Sequence, residues 1–376
     1  MLQVVPRLDA GGAERSTVEI AGALAREGFA PLVASEGGRM LGELQQAGGE
    51  WIALPANAKA PHALLANALR LRALIRARSI KLIHARSRAP AWSSLWAARM
   101  TNIPFVTTYH GSYTAGSLLK RFYNSVMARG DAVIANSQWT AARIRSQHTL
   151  APHKLIVIPR GIDLSRFDPA GIAQARVDNL RRLWGVRPGE LVILLPGRLT
   201  RLKGQKTLIA AMAYLAGNNA LQGLRAVLAG DSQGRTAYEN ELKAVIVASN
   251  LQDCVTISGH VSDLPAAYAA ADIVVSTSTQ EEAFGRVAAE ASAMGKAVIA
   301  TDHGGARETV VPGSTGLLVA PGDSRQLADA LSTLAAAGGQ ERAAMGSRGR
   351  AHIARNYTVE RMCADTIALY RKLLHI

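Results

Sequence analysis

The sequence predicts an α/β protein with two doubly wound parallel sheets. Short apolar runs, of the kind that form buried parallel strands, alternate with helical segments, and the alternation runs through both halves of the chain. The loops after the strands carry glycines and charged residues, as ligand-binding loops do at the carboxyl ends of such sheets. A chain of 376 residues has the length of about two domains. We therefore expect two Rossmann-like domains that face each other across a cleft, with the binding site there.

The expected domain boundaries follow from the positions of these elements. Residues 1–170 are expected to form the first domain, 171–188 a linker and 189–355 the second domain. Residues 356–376 are expected to form a final helix that is long enough to cross back to the first domain.

The first half begins with a strand at Val4–Val5 and a helix from Ala13 to Arg26. Gly11 and Gly12 stand between them, where a glycine pair lets the backbone approach a ligand closely. His110 follows another strand at its carboxyl end, where a histidine is more often structural than functional. The further elements expected in this half are strands at 31–34, 51–54, 82–84, 104–109, 132–135 and 154–158, and helices at 62–78, 90–100 and 139–146.

The second half restarts with a strand at 191–195 and a loop that contains Arg198 and Lys203 before a helix at 205–215. Two cations in such a loop are a plausible clamp for a diphosphate, because arginine offers a fork of donors and lysine a point charge. The further elements expected are strands at 225–229, 255–259, 273–275, 297–300 and 317–319, and helices at 239–249, 264–271, 284–294, 323–337, 340–354 and 358–374.

Residues 276–296 carry the main candidate site. Glu282 precedes a predicted helix that runs from about Phe284 to Met294, and Glu290 lies within that helix, eight residues after Glu282. Backbone N–H groups at the helix start favour an anion, and carboxylates accept hydrogen bonds from hydroxyl groups. This is the combination that a nucleotide-sugar needs. The alternative is that the glutamates only serve the helix dipole and a solvated face.

The charge is concentrated in the first half. The formal net charge is +15; residues 1–188 hold 25 basic and 11 acidic residues, and residues 189–376 hold 18 and 17. This distribution favours an anionic partner, either a membrane surface, an anionic lipid or a nucleic acid, over a merely solvated basic face. The segment from Tyr113 to Met127 carries Lys120 and Arg121 among apolar side chains. It suits either a membrane interface or an ordinary surface helix.

The two cysteines, Cys254 and Cys363, fit neither a disulfide framework nor a zinc site and indicate a reducing compartment. The first residues resemble a strand and not a signal peptide, and no apolar run approaches the length of a transmembrane helix. We therefore expect a cytoplasmic protein.

Together, these motifs resemble the retaining glycosyltransferases of family 4, which have the GT-B fold of two Rossmann-like domains. The resemblance covers nearly the whole chain and implies transfer of a hexose from a nucleotide-diphosphate sugar without a metal or another cofactor. Its most specific part is the Glu-x7-Glu stretch from Glu282 to Glu290. The other matching motifs are Gly197-Arg198-Leu199, Lys203-Gly204, Gly11-Gly12-Ala13-Glu14, His110-Gly111, Asn136-Ser137 and Gly161-Ile162-Asp163.

The resemblance implies a role for each matched position. Glu290 would hold the ribose hydroxyls of the donor, and Gly12 would approach its phosphate from the first domain. The catalytic residues would be His110, near the transferred sugar, Arg198 and Lys203, which would stabilise the leaving diphosphate, and Glu282, which would hold the sugar hydroxyls. The implied donor-binding residues are Gly11, Gly12, His260, Val261, Ala283, Phe284, Gly285, Arg286, Val287 and Glu290.

The chain departs from the family pattern in two places. Ala283 stands where glycine is commoner, which narrows the room near the donor sugar. Arg160 stands where the turn usually has asparagine, which adds a cation.

Within the family, the opening from Val4 to Arg15 and the stretch without acidic residues between Glu50 and Asp131 resemble the lipopolysaccharide-core mannosyltransferases of bacteria. This finer resemblance implies GDP-mannose as donor, an anionic lipid-linked glycan as acceptor, no nucleic acid, and a peripheral position on the inner face of the cytoplasmic membrane. The residues expected to contact acceptor or membrane are Arg86, Arg88, Tyr113, Lys120, Arg121 and Arg160.

Three other functions stay open at this point. One is a transferase that uses a UDP-sugar and builds another cell-envelope glycan or glycolipid. The second is a non-catalytic nucleic-acid-binding protein, which the basic half suggests but no nucleic-acid motif supports. The third is epimerisation or phosphorolysis on the same fold.

Overall fold

The computed structural model describes residues 1–9, 11–111, 113, 117–234 and 236–376. These residues form two compact units. The first unit comprises Met1–Gly161 and Val359–Ile376, and the second unit comprises Ile162–Thr358. Each unit is an α/β structure around a parallel sheet, as the strand and helix alternation predicted.

A seven-stranded parallel sheet lies at the centre of the first unit, in the order β3-β2-β1-β4-β5-β6-β7. Strands β1, β2, β4, β5 and β6 are fully buried, as strands covered on both faces are, whereas β3 and β7 are partly exposed. β1 pairs with both β2 and β4, so the strand order reverses between β1 and β4, and ligands bind at such a switch point. The strands are β1 (Leu2–Val4), β2 (Leu32–Ser35), β3 (Glu50–Ala53), β4 (Ile83–Ala85), β5 (Phe105–Tyr109), β6 (Ala132–Ala135) and β7 (Leu155–Val157).

The helices of the first unit follow the strands with short connections. Ser137 caps one of them, since its Oγ accepts a hydrogen bond from the N–H of Thr140. These helices are α1 (Gly12–Arg26), α2 (Leu41–Gln46), α3 (Pro61–Ala77), α4 (Arg88–Thr101), α5 (Leu118–Ser125) and α6 (Gln138–Gln147).

The second unit is built on a six-stranded parallel sheet in the order β10-β9-β8-β11-β12-β13. Here the order reverses between β8 and β11, which pair through Ile193 and Ile273. The loops that carry Lys203 and Glu282 follow these two strands, so both lie at the switch point. The strands are β8 (Leu191–Pro196), β9 (Leu224–Ala229), β10 (Val255–Gly259), β11 (Ile273–Ser276), β12 (Ala297–Thr301) and β13 (Leu317–Val319).

The helices of the second unit cover both faces of its sheet. The stretch expected to be a linker, 171–188, contains a helix, and its Val177 and Trp184 are buried in the core of this unit. The helices are α7 (Gln174–Leu183), α8 (Gln205–Gly217), α9 (Thr236–Ala248), α10 (Leu264–Ala270), α11 (Arg286–Ala293), α12 (Ala306–Thr309), α13 (Ser324–Ala336) and α14 (Gly338–Asn356).

The last helix, α15 (Val359–Leu374), belongs to the first unit and packs against α1. Its fully buried Tyr370 donates or accepts a hydrogen bond at Nδ1 of His84, 2.5 Å away, on β4. Within the part of the chain that the structure describes, no helix is both long enough and apolar enough to span a bilayer.

Candidate functional site

Glycines hold the loops at the switch point of the second unit in close contact. Gly204 has φ of +70°, and a Cβ there would lie 1.9 Å from the carbonyl oxygen of Thr277. The hydroxyl of Thr277 in turn donates to the carbonyl oxygens of Lys203 and Gly204, at 3.0 and 3.1 Å. The loop after β8 is therefore fixed on the end of β11, and this contact sets the position of Lys203.

The loop after β12 supports the loop that contains Glu282. A Cβ at Gly304 would lie 2.4 Å from the carbonyl oxygen of Glu282, and the N–H of Gly305 donates to that oxygen at 2.8 Å. A Cβ at Gly305 would lie 2.4 Å from Cα of Phe284. Because these backbones touch, the loop from Thr277 to Gly285 has a defined conformation.

The structure corrects the predicted start of the helix between the two glutamates. α11 begins at Arg286 and not at Phe284, because Gly285 adopts a left-handed conformation with φ of +76° and ends the loop there. Glu282 therefore lies in the loop, and the eight-residue helical spacing does not orient it towards Glu290. Partners from other segments orient its carboxylate.

The carboxylate of Glu282 receives two hydrogen bonds at the same oxygen. Lys203 Nζ donates to Oε1 at 2.5 Å, and the hydroxyl of Ser278 donates to it as well. Oε2 accepts no hydrogen bond from the described residues. Burial alone would raise the pKa of Glu282, but the Lys203 charge and these hydrogen bonds outweigh burial and hold the pKa below its ordinary value. Glu282 is thus an ionised acceptor with one oxygen available.

Glu290 is a buried carboxylate with partners on both oxygens. Arg286 Nε donates to Oε1 at 2.6 Å, and the hydroxyl of Tyr268 donates to Oε2 at 2.8 Å. Burial and the charge of Glu290 raise the pKa of Tyr268 well above its ordinary value, so Tyr268 remains a phenol and a donor. A carboxylate has about four acceptor sites, so Glu290 can still accept hydroxyl groups of a ligand.

Two further residues of this site were missed in the sequence. Tyr268 lies on α10 and His303 follows β12, and neither stands in a recognisable motif. His303 Nε2 lies 2.7 Å from the carbonyl oxygen of Ser278, and because a carbonyl only accepts, this nitrogen carries the proton. The other ring nitrogen of His303, Nδ1, is buried without a partner among the described residues.

Arg198 is held by its backbone and not by its side chain. Its carbonyl oxygen accepts a hydrogen bond from Nε2 of the buried Gln205 at 2.9 Å. Its exposed guanidinium makes only a long contact of 3.5 Å with Oε1 of Gln233. The side chain of Lys203 passes beside Gly197, where a Cβ would meet its Cδ at 3.6 Å. The backbone of Arg198 is therefore fixed, whereas its side chain can turn towards a bound anion.

The remaining donor-binding residues lie around the start of α11 and after β10. The first N–H groups of α11, including those of Arg286 and Val287, have no acceptor within the helix, which favours an anion there. Phe284 is buried with its ring edge-on to Tyr357. His260 is exposed, and its Nδ1 lies 3.8 Å from Oδ2 of Asp231. The others in this group are Ala283, Gly285 and Val261, and the side chain of Val261 packs on the core.

His110 of the first unit is half-buried beside arginines, with its Nε2 atom buried. Arg160 Nη2 donates to His110 Nδ1 at 2.9 Å. Burial, with the charges of Arg86 and Arg160, lowers the pKa of His110 well below its ordinary value, so the ring is neutral. Arg160 also lies over the glycine turn, since a Cβ at Gly12 would lie 1.9 Å from its Nη1; a Cβ at Gly11 would instead meet Glu14.

The residues expected to contact acceptor or membrane occupy different environments. Lys120 and Arg121 are exposed on α5, whereas Arg86 is only 2% exposed and does not lie on the surface. Arg88 makes its contacts within the first unit. Its Nη1 donates to Oδ1 of Asn124 at 2.8 Å, and its Cζ lies 4.2 Å from the centroid of the Tyr113 ring. Residues 114–116 of the predicted amphipathic segment, and Ser112 just before it, lie outside the described residues.

α5 presents an apolar surface with basic residues beside it. Leu118, Leu119 and Phe122 are 79, 83 and 59% exposed, although Phe122 also stacks on Trp92.

Among the described residues, no group of three histidine, cysteine, aspartate or glutamate side chains could hold a metal ion.

Two protein families match successive parts of the chain. Residues 10–166 match the Glycosyltransferase Family 4 domain, and residues 177–352 match Glycosyl transferases group 1. A relative, the lipopolysaccharide core biosynthesis mannosyltransferase LpsB of Rhizobium meliloti, is 31% identical over 255 residues, which are 66% of this chain and 68% of LpsB. Segments of D-inositol 3-phosphate glycosyltransferases match at 34–35% identity, and the matched segments span only about half the length of these proteins, 47–58%.

Solved structures of glycosyltransferases match over the whole chain. A glycosyltransferase from Rickettsia africae is 33% identical with a TM-score of 0.91, and the match covers 99% of this chain and 98% of that protein. Anabaena Alr3699/HepE, solved in complex with UDP and glucose, is 27% identical with a TM-score of 0.83 and 98% coverage of both chains. The chain therefore belongs to the glycosyltransferases of the GT-B fold, with a Family 4 domain followed by a group 1 domain.

Proposed function

We propose that the protein is a retaining, metal-independent glycosyltransferase that moves a hexose from a nucleotide-diphosphate sugar to an anionic lipid-linked glycan, such as lipopolysaccharide core. The observation that carries the proposal is the Lys203–Glu282 ion pair at the switch point of the second unit, with the buried Glu290 in the middle of the helix that follows. The arrangement offers cations for a diphosphate and carboxylates for hydroxyl groups.

The donor is assigned to the second unit. Lys203 and Arg198 would neutralise the diphosphate, whose charge grows as the sugar leaves. Glu290 would accept from the ribose hydroxyls with its remaining lone pairs, and Oε2 of Glu282 would accept from the sugar. The complex of Anabaena HepE with UDP and glucose supports a nucleotide-sugar as donor.

Retention of configuration and independence of a metal are inferred from the family resemblance. In a retaining reaction on one sugar face, the leaving phosphate helps to deprotonate the acceptor, so no side chain is assigned as general base. The cations Lys203 and Arg198 would take the role that a metal has in other transferases, so we expect no metal requirement.

The acceptor and the membrane are assigned to the first unit. This unit holds most of the net positive charge, and α5 combines exposed Leu118 and Leu119 with Lys120 and Arg121. Such a helix can insert its apolar side chains between lipids while its cations contact anionic head groups. We propose a peripheral position on the inner face of the cytoplasmic membrane, which the similarity to LpsB also supports.

Transfer assays with matched donors test the proposal. GDP-mannose and UDP-glucose are each incubated with an anionic lipid-linked acceptor, with and without EDTA, and the anomeric configuration of the product is determined. We expect transfer from GDP-mannose with retention and no effect of EDTA. Transfer from UDP-sugars alone would instead support the second candidate, which the HepE complexes with UDP and UDP-glucose favour.

A further inference from the structure

A small cavity in the first unit collects buried nitrogen atoms that lack partners. It has a volume of about 20 Å³ and lies at the carboxyl ends of the central strands, closed on one side by Met362 and Thr366. Arg86, His110 and Asn136 each contribute one unpartnered side-chain nitrogen: Nε, Nε2 and Nδ2. Arg86 and Asn136 are 2 and 3% exposed, so bulk water does not satisfy these atoms.

All three unpartnered nitrogens are hydrogen-bond donors. Nε of arginine and Nδ2 of asparagine can only donate. Because arginine only donates, the 2.9 Å contact from Arg160 makes His110 Nδ1 an acceptor, and the proton of the neutral ring therefore sits on Nε2. The hydroxyl groups that line the cavity are already engaged: Ser16 with Arg86, Thr108 with His84, and Thr366 with Met362. Only an acceptor can complete this site.

The cavity is also positively charged. Arg86 and Arg160 both line it, and none of its lining residues is acidic. Glu14 and Glu19 act on Arg86 through space, but no described carboxylate forms an ion pair with it. Burial disfavours the charged guanidinium unless an anion lies in direct contact with it. Water would satisfy the donors but would not supply that direct anionic partner.

We propose that the cavity is an anion site, which holds either a chloride-sized ion or one oxygen of a carboxylate or phosphate group on a larger ligand. The volume limits the occupant, since about 10–15 Å³ is enough for one water molecule and the cavity is only slightly larger. The site lies wholly within the first unit, and its test needs neither donor nor turnover, so it stands or falls separately from the proposed transfer reaction.

Thermal unfolding of the whole protein in four sodium salts tests the site. Chloride, bromide, acetate and phosphate are compared at equal ionic strength, for wild type and for Asn136→Asp, whose own carboxylate would fill the site. We expect the melting temperature of wild type to rise with saturation. Saturation by chloride and bromide assigns a free ion, and saturation by acetate or phosphate alone assigns the oxygen of a larger ligand. A response of wild type that equals the response of Asn136→Asp for all four salts overturns the proposal.

Variants test whether the stabilisation by anions arises at this cavity. Arg86→Gln should weaken the apparent anion affinity about tenfold or more, because it removes a charge-assisted donor. Arg145→Gln, which removes the same charge from the exposed face of α6, should leave the affinity unchanged. If Arg86→Gln does not fold, Asn136→Asp serves instead, since its carboxylate would occupy the site and abolish the response. An unaltered response in both cavity variants contradicts the assignment.

Discussion

Lys203 Nζ and Glu282 Oε1 lie 2.5 Å apart, although 79 residues separate them in the sequence. Two hydrogen bonds to the backbone bring them together: the hydroxyl of Thr277 donates to the carbonyl oxygen of Gly204, and the N–H of Gly305 donates to the carbonyl oxygen of Glu282. In this ion pair, the side chain of Lys203 lies beside Gly197, and the second carboxylate oxygen of Glu282 is available to accept a hydrogen bond from a ligand. A donor diphosphate would take over Lys203 as partner, and the sugar would take the carboxylate.

Loss of the lysine charge should slow transfer far more than it destabilises the protein. We expect Lys203→Gln to lower kcat/KM by about 10²–10³, because it removes a donor aimed at charge that grows in the transition state. Lys206→Gln is the matched control, since Lys206 pairs with Glu241 on the outer side of the same helix start. Equal kcat/KM values for wild type and Lys203→Gln would show that Lys203 does not contribute to the reaction.

Acid should destabilise the protein partly through Glu282. Its pKa in the folded chain lies below the ordinary value of 4.5, so its contribution to stability is present above that value and is lost as the pH falls through the folded pKa. Urea denaturation from neutral pH downwards should therefore show a shallower acid loss in Glu282→Gln than in wild type. Glu281→Gln, at the exposed neighbouring position, should behave like wild type. An identical acid slope in all three proteins would contradict the lowered pKa.

Tyr268 should matter for stability and, through Glu290, for donor affinity. Tyr268→Phe removes one hydrogen bond to a buried carboxylate, so we expect a loss of about 1.5–3 kcal/mol in the free energy of unfolding. The Michaelis constant for the donor should rise while kcat changes little, because Glu290 loses an orienting partner and not its charge. Tyr238→Phe provides the comparison, because it removes a hydroxyl that lies 3.5 Å from Oε1 of Gln205 and near the backbone N–H of Lys206. Equal unfolding free energies for the two variants would argue against this role.

The contact at Gly204 can be separated from its backbone conformation. Gly322 also has positive φ, +79°, but an added Cβ there meets nothing within 4 Å. Gly322→Ala should therefore cost only the left-handed conformation, about 1–2 kcal/mol, whereas Gly204→Ala adds an overlap with Thr277 and should cost about 2–5 kcal/mol. Chemical denaturation measures both, and a smaller loss at Gly204 than at Gly322 would show that the two loops are not in tight contact.

Membrane binding should depend on α5. The double variant Leu118→Ser with Leu119→Ser should reduce co-sedimentation with vesicles that contain anionic lipid, and added salt should weaken the binding of wild type. Leu183→Ser, which alters a leucine of the second unit that is 68% exposed, is the control. Binding that is the same for the α5 variant and wild type would exclude this helix as the contact.

The sequence predicted the strands, the helices and the switch-point loops well, because buried parallel strands are continuous apolar runs and the motifs follow them directly. It did not predict the orientation of Glu282, because the left-handed conformation of Gly285 moves the helix start to Arg286. It did not predict Tyr268 either, since this residue reaches Glu290 from a different helix, 22 residues away. The burial of Arg86 was also hidden, because a charged residue after a strand is more often exposed.

Isothermal titration of GDP-mannose and UDP-glucose into wild type, Lys203→Gln and Glu290→Gln tests the central claim most directly, because it measures donor binding without an acceptor. We predict that one of the two donors binds wild type with saturation, and that each variant weakens it about tenfold or more, since each loses a charged hydrogen-bonding group. Binding of equal strength to all three proteins, or no binding of either donor to wild type, would contradict the account.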